Sequence, residues 1–565
     1  MKASAKSGGF YINKNFDKQQ MMKKLSFLFI IISNIICAQI YTVSEKQIEV
    51  TSHIYNSFIL ELNSGNTILL QMEPKIEGFL LKIYDNTHEE RVSKKIKLEN
   101  IKDINSVYVI DFIELNQNAV LFYAAAKDGV VNLHKLSINQ ITGETYTDIC
   151  YSFNLPKDYT YFDRDLSFFK IIENQTKTKY SIIVGSSLDN QYHLNITVYN
   201  STNNQIILKH SKTFDNYFHL DLLDAIMDNE SIYLLVDRKY KPKDSEEKGW
   251  FKVTEVHYIP QNIASILKFN MDTKQIQDIK LNFLNNPTYS IKGQFNFDHK
   301  NNQLNLLLSC INPKDSYGKI PDVTNIFLKI SKQDFIISAE NEIKNTQAIN
   351  KALSLYPDIK LDNNSFANFP QSFYTDSLGN NTFIFQTVYN KFNKPEGGSS
   401  LTRQEFAFLF CDSKTDVAST KFSPYKHAIN GLLSGSLDQF SFHCNKYTMP
   451  HHPRYYSYDK DYYQFKTFEV DHKIVTILNL NPENLDKNIN DQLVGNTEKE
   501  VMIPMILCVN KNFYEYNKVF TDSEKYGKLR FNVNVSSFNQ KTKSYVVLAT
   551  ELGGKRERLV WIKFN

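Results

Sequence analysis

Short β-rich runs recur along almost the whole chain and leave little room for helices. Examples are SIIVGSS (181–187), SIYLLVDR (231–238), VTILNLN (475–481) and YVVLATEL (545–552). Clusters of Asn, Asp, Gly or Lys bound them. The first three of these types are turn formers, because they satisfy local backbone groups or tolerate unusual dihedrals. The chain holds 58 Asn but only 19 Gly and 15 Pro, so its turns are written largely in Asn. A 42% apolar fraction across 565 residues is enough for a sizeable core and excludes a chain disordered overall.

The runs fall into a weak repeat. Each unit has an apolar strand, an Asn/Asp turn and a more strongly apolar strand. A variable loop, a strand of mixed polarity, a polar turn and a last strand follow. Residues 107–153 show the order as VYVIDFIEL, AVLFYAAA, VNLHKLSI and TYTDICYSF. Residues 165–214 repeat it, and residues 224–283 repeat it with a long insertion. Further units start near residues 56, 290, 369 and 461. The end of the chain, from Phe531, has only three strands, and IYTVSEKQIEVT (40–51) precedes the first full unit. Joining the two ends would supply the missing strand and remove exposed edges. The fold class read from this pattern is all-β: a β-propeller of seven or eight irregular four-stranded blades, closed by N- and C-terminal strands. Tandem β-sandwiches are the alternative. Insertions are placed near 239–256, 340–368 and 427–463 of a single domain spanning 39–565. Ile343, Ala348, Ile349, Ala352 and Leu353 have helical spacing, which predicts a short helix over 340–358 ended by Pro357. Residues 362–370 and 393–403 read as surface loops.

Residues 1–38 carry a different signal. Lys23 and Lys24 precede the apolar run Leu25–Ile36, which is too short to span a bilayer. A cut after Ala38, within Cys37-Ala38-Gln39, completes a secretory signal peptide preceded by a polar extension. Ile36 before Cys37 argues against a lipid anchor there, because that position wants a small residue. The run ending Cys-Ala-Gln, with its Lys/Asn/Ile-rich body, resembles exported proteins of Bacteroidota-type bacteria. That resemblance implies a periplasmic, surface-associated or secreted protein. The whole chain has 65 basic and 61 acidic residues; removal of 1–38 leaves 59 and 60. A near-neutral mature chain offers no electrostatic reason for a nucleic-acid partner. No later segment is apolar for long enough to cross a membrane as a helix.

The densest chemistry lies in FHCNKYTMPHHPRYYSYDKDYY (442–463). His443, Cys444, His451 and His452 are candidate ligands for a zinc-like ion, although their spacing follows no established zinc pattern. Arg454, Tyr455, Tyr456, Tyr458 and Tyr462 form the candidate ligand-binding face, since Tyr offers a large rigid area with a polar tip. Asp163/Asp165 and Asp459/Asp461 are paired acids, but neighbours two apart are more often turn residues than catalytic pairs. The chain lacks G-x-S-x-G, H-E-x-x-H, Walker A and G-x-G-x-x-G. Cys310, Cys411 and Cys508 stand in apolar runs and read as buried thiols. Together these features favour an exported, non-enzymatic binding or scaffold protein that recognises a protein or glycan through inter-blade loops. The alternative is an exported propeller-type hydrolase or lyase, with or without metal assistance. The cofactor is left open, and no catalytic residue is assigned.

Overall fold

The computed structural model describes residues 41–48, 56–73, 77–98, 107–127, 129–154, 167–188, 191–214, 217–240, 263–281, 290–311, 323–343, 368–393, 398–412, 417–423, 427–430, 465–480, 502–512, 514–520, 529–551 and 556–565. All regular elements among them are strands, grouped in eight sheets. The N-terminal strand is β1 (Tyr41–Ile48). Blade 1 is β2 (Asn56–Glu61), β3 (Thr67–Glu73), β4 (Gly78–Tyr84) and β5 (Glu90–Lys97). Blade 2 is β6 (Val107–Leu115), β7 (Asn118–Lys127), β8 (Val130–Asn139) and β9 (Thr145–Asn154). Blade 3 is β10 (Ser167–Glu173), β11 (Lys179–Leu188), β12 (Gln191–Asn200) and β13 (Ile206–Phe214). Blade 4 is β14 (Tyr217–Met227), β15 (Ser231–Tyr240), β16 (Ile263–Asn270) and β17 (Ile276–Lys280). Blade 5 is β18 (Ser290–Asp298), β19 (Gln303–Ile311), β20 (Val323–Ser331) and β21 (Ile337–Glu342). Blade 6 is β22 (Asn368–Thr375), β23 (Asn381–Asn393), β24 (Gly398–Cys411) and β25 (Val417–Ser423), with β26 (His427–Asn430) added against β24. Blade 7 is β27 (Phe465–Val470), β28 (Lys473–Leu480), β29 (Ile503–Val509) and β30 (Tyr514–Lys518). Blade 8 is β31 (Leu529–Asn539), β32 (Ser544–Glu551) and β33 (Glu557–Phe564), completed by β1 in antiparallel register from Tyr41↔Phe564 to Ile48↔Glu557. The molecule is therefore an eight-bladed β-propeller whose last blade takes its outer strand from the other end of the chain.

Position within a blade explains the residue pattern. The second strand of each blade is covered on both faces by neighbouring blades, so it is apolar almost without interruption. β3 (TILLQME) is buried throughout, and β28 (KIVTILNL) is buried from its second residue on. Outermost strands have one solvated face and alternate, as in β21 (ISAENE) and β5 (ERVSKKIK). Their Lys and Glu side chains also protect sheet edges from pairing with other chains.

Apolar packing closes the ring. One cluster joins Leu70, Phe79 and Leu81 of blade 1 to Leu121, Tyr123 and Leu136 of blade 2. Others join blades 2 and 3, 3 and 4, 4 and 5, 6 and 7, 7 and 8, and 8 and 1. Between blades 5 and 6, the Phe327 ring meets Phe373 and Phe383 edge-on at 5.9 and 5.2 Å. Full burial of a side chain of this size contributes roughly 1.5–3 kcal/mol.

Three local expectations change. The predicted helix over 340–358 does not begin at 340: Glu340–Glu342 belong to β21, paired with Ile326–Leu328 of β20. The open backbone of β20 outweighs a short helical pattern. Residues 393–403 are not a loop throughout, because β23 and β24 extend their ladder to Asn393↔Gly398. Residues 368–370 open β22, with Phe369 fully buried. Residues 239–240 and 427–430 are likewise strand, and 241–256, 344–367 and 431–463 lie outside the described residues.

Candidate functional site

Strand direction sorts the connections onto two faces. First-to-second and third-to-fourth strand turns share one face, and all are short. The third-to-fourth turns of blades 1 to 5 are 85–89, 140–144, 201–205, 271–275 and 332–336. An Asn side chain before the turn builds three of them. Asn139 Oδ1 accepts from the N–H of Ile141 and Thr142, Asn200 Oδ1 from Thr202 and Asn203, and Asn270 Oδ1 from Asp272 and Thr273. A residue at positive φ follows in each: Gly143, Asn204 and Lys274.

This hairpin face is laced from blade to blade. Asn116 Nδ2 donates to Thr202 O at 2.8 Å, Lys179 Nζ to Asn229 O at 2.8 Å, and Lys300 Nζ to Leu378 O at 3.0 Å. Lys332 pairs with Asp228 at 2.7 Å and Lys543 with Asp471 at 2.8 Å. The opposite face receives the second-to-third strand connections and the crossovers between blades. The strand ends that flank 241–262, 344–367, 431–464 and 481–501 open on that face; these segments themselves lie outside the described residues. Groups free to vary for recognition belong to this loop face.

The innermost strands surround the ring axis and carry carboxylates that are half-buried (Asp111, Glu173, Asp224) or buried (Glu61). The register of β6 skips a residue between Val109 and Asp111, and that of β14 between Leu222 and Asp224. Such irregularities re-aim the following side chain. Asp224 Oδ2 accepts from the Phe295 N–H of blade 5 at 2.7 Å. Asp111 Oδ1 accepts from the Phe112 N–H at 2.9 Å. Burial pushes the Asp111 carboxyl up to about 6, against the opposing pull of Lys170. Glu173, at the end of β10, is pushed to about 7 by burial, with Asp111 and Glu114 adding and Lys177 opposing. Glu61, at the end of β2, is also raised to about 7 by burial, although Thr67 Oγ1 donates to its Oε2 at 2.8 Å. These groups can hold and release a proton near neutral pH. Among the described residues, no group of three or more His, Cys, Asp or Glu converges as metal ligands.

His443, Cys444, His451 and His452, and Arg454, Tyr455, Tyr456, Tyr458 and Tyr462, fall between β26 and β27. All nine lie outside the described residues, as do Asp163, Asp165, Asp459 and Asp461. Sequence reasoning did not single out Glu61, Asp111 or Glu173. A usable signal was present for two of them: the first strand of successive units ends in an acid just before its Asn-rich turn, in FILELN, DFIELN and KIIEN. Of the described cysteines, Cys310, Cys411 and Cys508 are buried thiols as expected, Cys150 is half-buried, and none of the four is in a disulfide.

No family model and no curated protein matches the chain. Solved structures do resemble it in architecture. An oligogalacturonate lyase in complex with manganese aligns at 8% identity and a TM-score of 0.32, covering 93% of this chain and 96% of that one. The β-propeller domain of the Trilobed protease from Pyrococcus furiosus, described as having an open velcro topology, aligns at 8% and 0.31, covering 81% and 95%. The polysaccharide lyase Uly1 aligns at 8% and 0.38, covering 81% and 90%. Likeness at this level carries no argument about activity.

Proposed function

We propose that this chain is an exported, non-enzymatic binding or scaffold protein of the cell envelope or extracellular space. It recognises a protein or glycan through loops on one face of the propeller. The observation that carries the reading is the separation of the two faces. The turns of one are short and hydrogen-bonded from blade to blade, and the strand ends joined by the long connections open on the other. A laced base under variable loops is an arrangement suited to recognition. The aromatic segment joining blades 6 and 7 supplies the contact chemistry, with Arg454, Tyr455, Tyr456, Tyr458 and Tyr462 as anchors.

The test is binding to an array of bacterial surface glycans and purified envelope proteins, with the triple variant Tyr455→Ala, Tyr456→Ala, Tyr458→Ala as control. The expected result is saturable binding that the variant weakens by about tenfold or more, at an unchanged melting temperature. Unchanged binding in the variant, or turnover of a bound polysaccharide, would overturn the reading. Export is checked by cell fractionation and by the N-terminal residue of the mature protein, expected to be Gln39. Elemental analysis of protein purified without chelator tests the metal reading. One equivalent of a zinc-like ion, lost in His451→Ala, would support ligation by His443, Cys444, His451 and His452, and metal-free protein would remove it.

A further inference from the structure

A groove of about 370 Å³ opens on the rim between blades 3 and 4. One wall is β13, contributing His210, Lys212 and Phe214, and the other is built from Arg238 of β15, Lys274 of the 271–275 turn and Asp278 of β17. Leu267 and Ile276 add apolar surface. Its charges are unevenly matched. Arg238 is buried and paired, its Nη2 2.7 Å from Asp278 Oδ2 and its guanidinium carbon 5.9 Å from the centre of the Phe214 ring. That pair is neutral in sum. The Lys212 and Lys274 ammonium groups have neither ion pair nor hydrogen bond among the described residues. The lysines of the neighbouring blade interfaces differ: Lys135 donates to Asn204 Oδ1 at 2.6 Å, Lys268 to Lys332 O at 2.6 Å, and Lys332 pairs with Asp228.

His210 does not balance the excess. Burial and the nearby Lys212 and Lys274 hold its pKa below the ordinary value, so it stays neutral near neutral pH. Its ring lies 4.8 Å from that of Phe269, and its Nε2 is buried without a hydrogen-bond partner. The groove thus carries an excess of two positive charges beside an aromatic and aliphatic wall.

We infer that this rim groove is a binding site for a small organic anion, its phosphate or carboxylate head held by Lys212 and Lys274 and its apolar body lying on Phe214, Leu267 and Ile276. Charge-assisted hydrogen bonds from two ammonium groups fix the head, and the volume is that of a small-molecule site. The groove is formed by strands and a tight turn, so the inference is independent of the loop-face reading.

Titration calorimetry with phenyl phosphate, phenol and inorganic phosphate tests it. Phenyl phosphate is expected to bind one to one, more tightly than inorganic phosphate and more weakly as salt is raised. Phenol is expected not to bind measurably. The double variant Lys212→Gln, Lys274→Gln is expected to weaken phenyl phosphate by about tenfold or more at an unchanged melting temperature. Lys209→Gln, an exposed lysine of β13 outside the groove, is expected to leave binding intact. Absence of saturable phenyl phosphate binding, equal binding of phenol, or equal affinity in the folded double variant would each overturn the inference.

Discussion

Glu61 shows how one residue is fixed by the closure of the ring. It ends β2, and its backbone ties blade 1 to blade 8: its N–H donates to Ser537 Oγ at 3.1 Å, and its carbonyl accepts from Asn539 Nδ2 at 3.0 Å. Its carboxylate accepts from Thr67, whose Oγ1 accepts in turn from Trp561 Nε1 at 2.8 Å. Trp561 is fully buried, stacked on His88 at 4.3 Å and edge-on to Tyr84 at 5.7 Å. The seam between the first and last blades therefore holds a carboxyl that prefers to be protonated. Its folded pKa of about 7 lies above the ordinary carboxyl value, so the folded state keeps a proton that the unfolded chain has lost. Stability is then full below about pH 4.5 and declines as pH rises towards 7, with a ceiling of roughly 3 kcal/mol for this group. Glu61→Gln is expected to stabilise the protein at pH 8 and to flatten the fall in urea midpoint between pH 5 and pH 8. An unchanged slope in the variant would show that Glu61 is ionised in the folded state.

At the scale of the element, the third-to-fourth turns of blades 2, 3 and 4 show what an Asn at a turn does. Each Asn oxygen takes two backbone N–H groups that the turn would leave unpaired, and the residue at positive φ then reverses the chain. Asn270→Ala is expected to cost about 1 kcal/mol, read as a drop in denaturation midpoint. Gly143→Ala is expected to cost more. Gly143 stands at φ +69°, and an added Cβ would come within 2.9 Å of Val92 Cγ1 and 3.3 Å of Leu81 Cδ2 in the neighbouring blade. The strain and overpacking together are on the order of 2 kcal/mol.

The same elements explain what could be read from sequence. Four-strand units were visible at 107–153 and 165–214 because their second strands are sealed on both faces and their turns carry Asn. The three-stranded end and the spare strand near residue 40 were visible for the same reason, and β1 does pair with β33. Where pairing rests on backbone rather than side-chain pattern, the reading failed. The continuation of β23 and β24 through 398–403 carries Ser, Thr and Arg, and β21 carries an acidic stretch with helical spacing. The inner carboxylates were missed for a related reason: Asp111 follows a register skip that no local motif announces. The two-faced distribution of loops follows from topology once the units are counted, whereas the orientation of a His- and Tyr-rich segment does not.

For the whole molecule, the ends of the chain meet in blade 8 and make the ring one cooperative unit. Eight residue pairs join β1 to β33, and the seam is reinforced by Arg558 to Glu45 at 3.0 Å and by Tyr41 Oη donating to Lys518 O at 2.7 Å. Pairing with β1 covers the edge that β33 would otherwise expose, so the last blade resists fraying there. The most direct measurement is a cross-link at the exposed register pair Thr42↔Lys563. Antiparallel partners have a Cα separation that a disulfide can bridge. Oxidised Thr42→Cys, Lys563→Cys protein is mapped by mass spectrometry and melted with and without reductant. The account predicts an intramolecular 42–563 disulfide in the monomer and a melting temperature several degrees higher, lost on reduction, because the link closes a loop of nearly the whole chain. Absence of that linked peptide, or its formation only between two chains, would contradict a ring closed by its own ends.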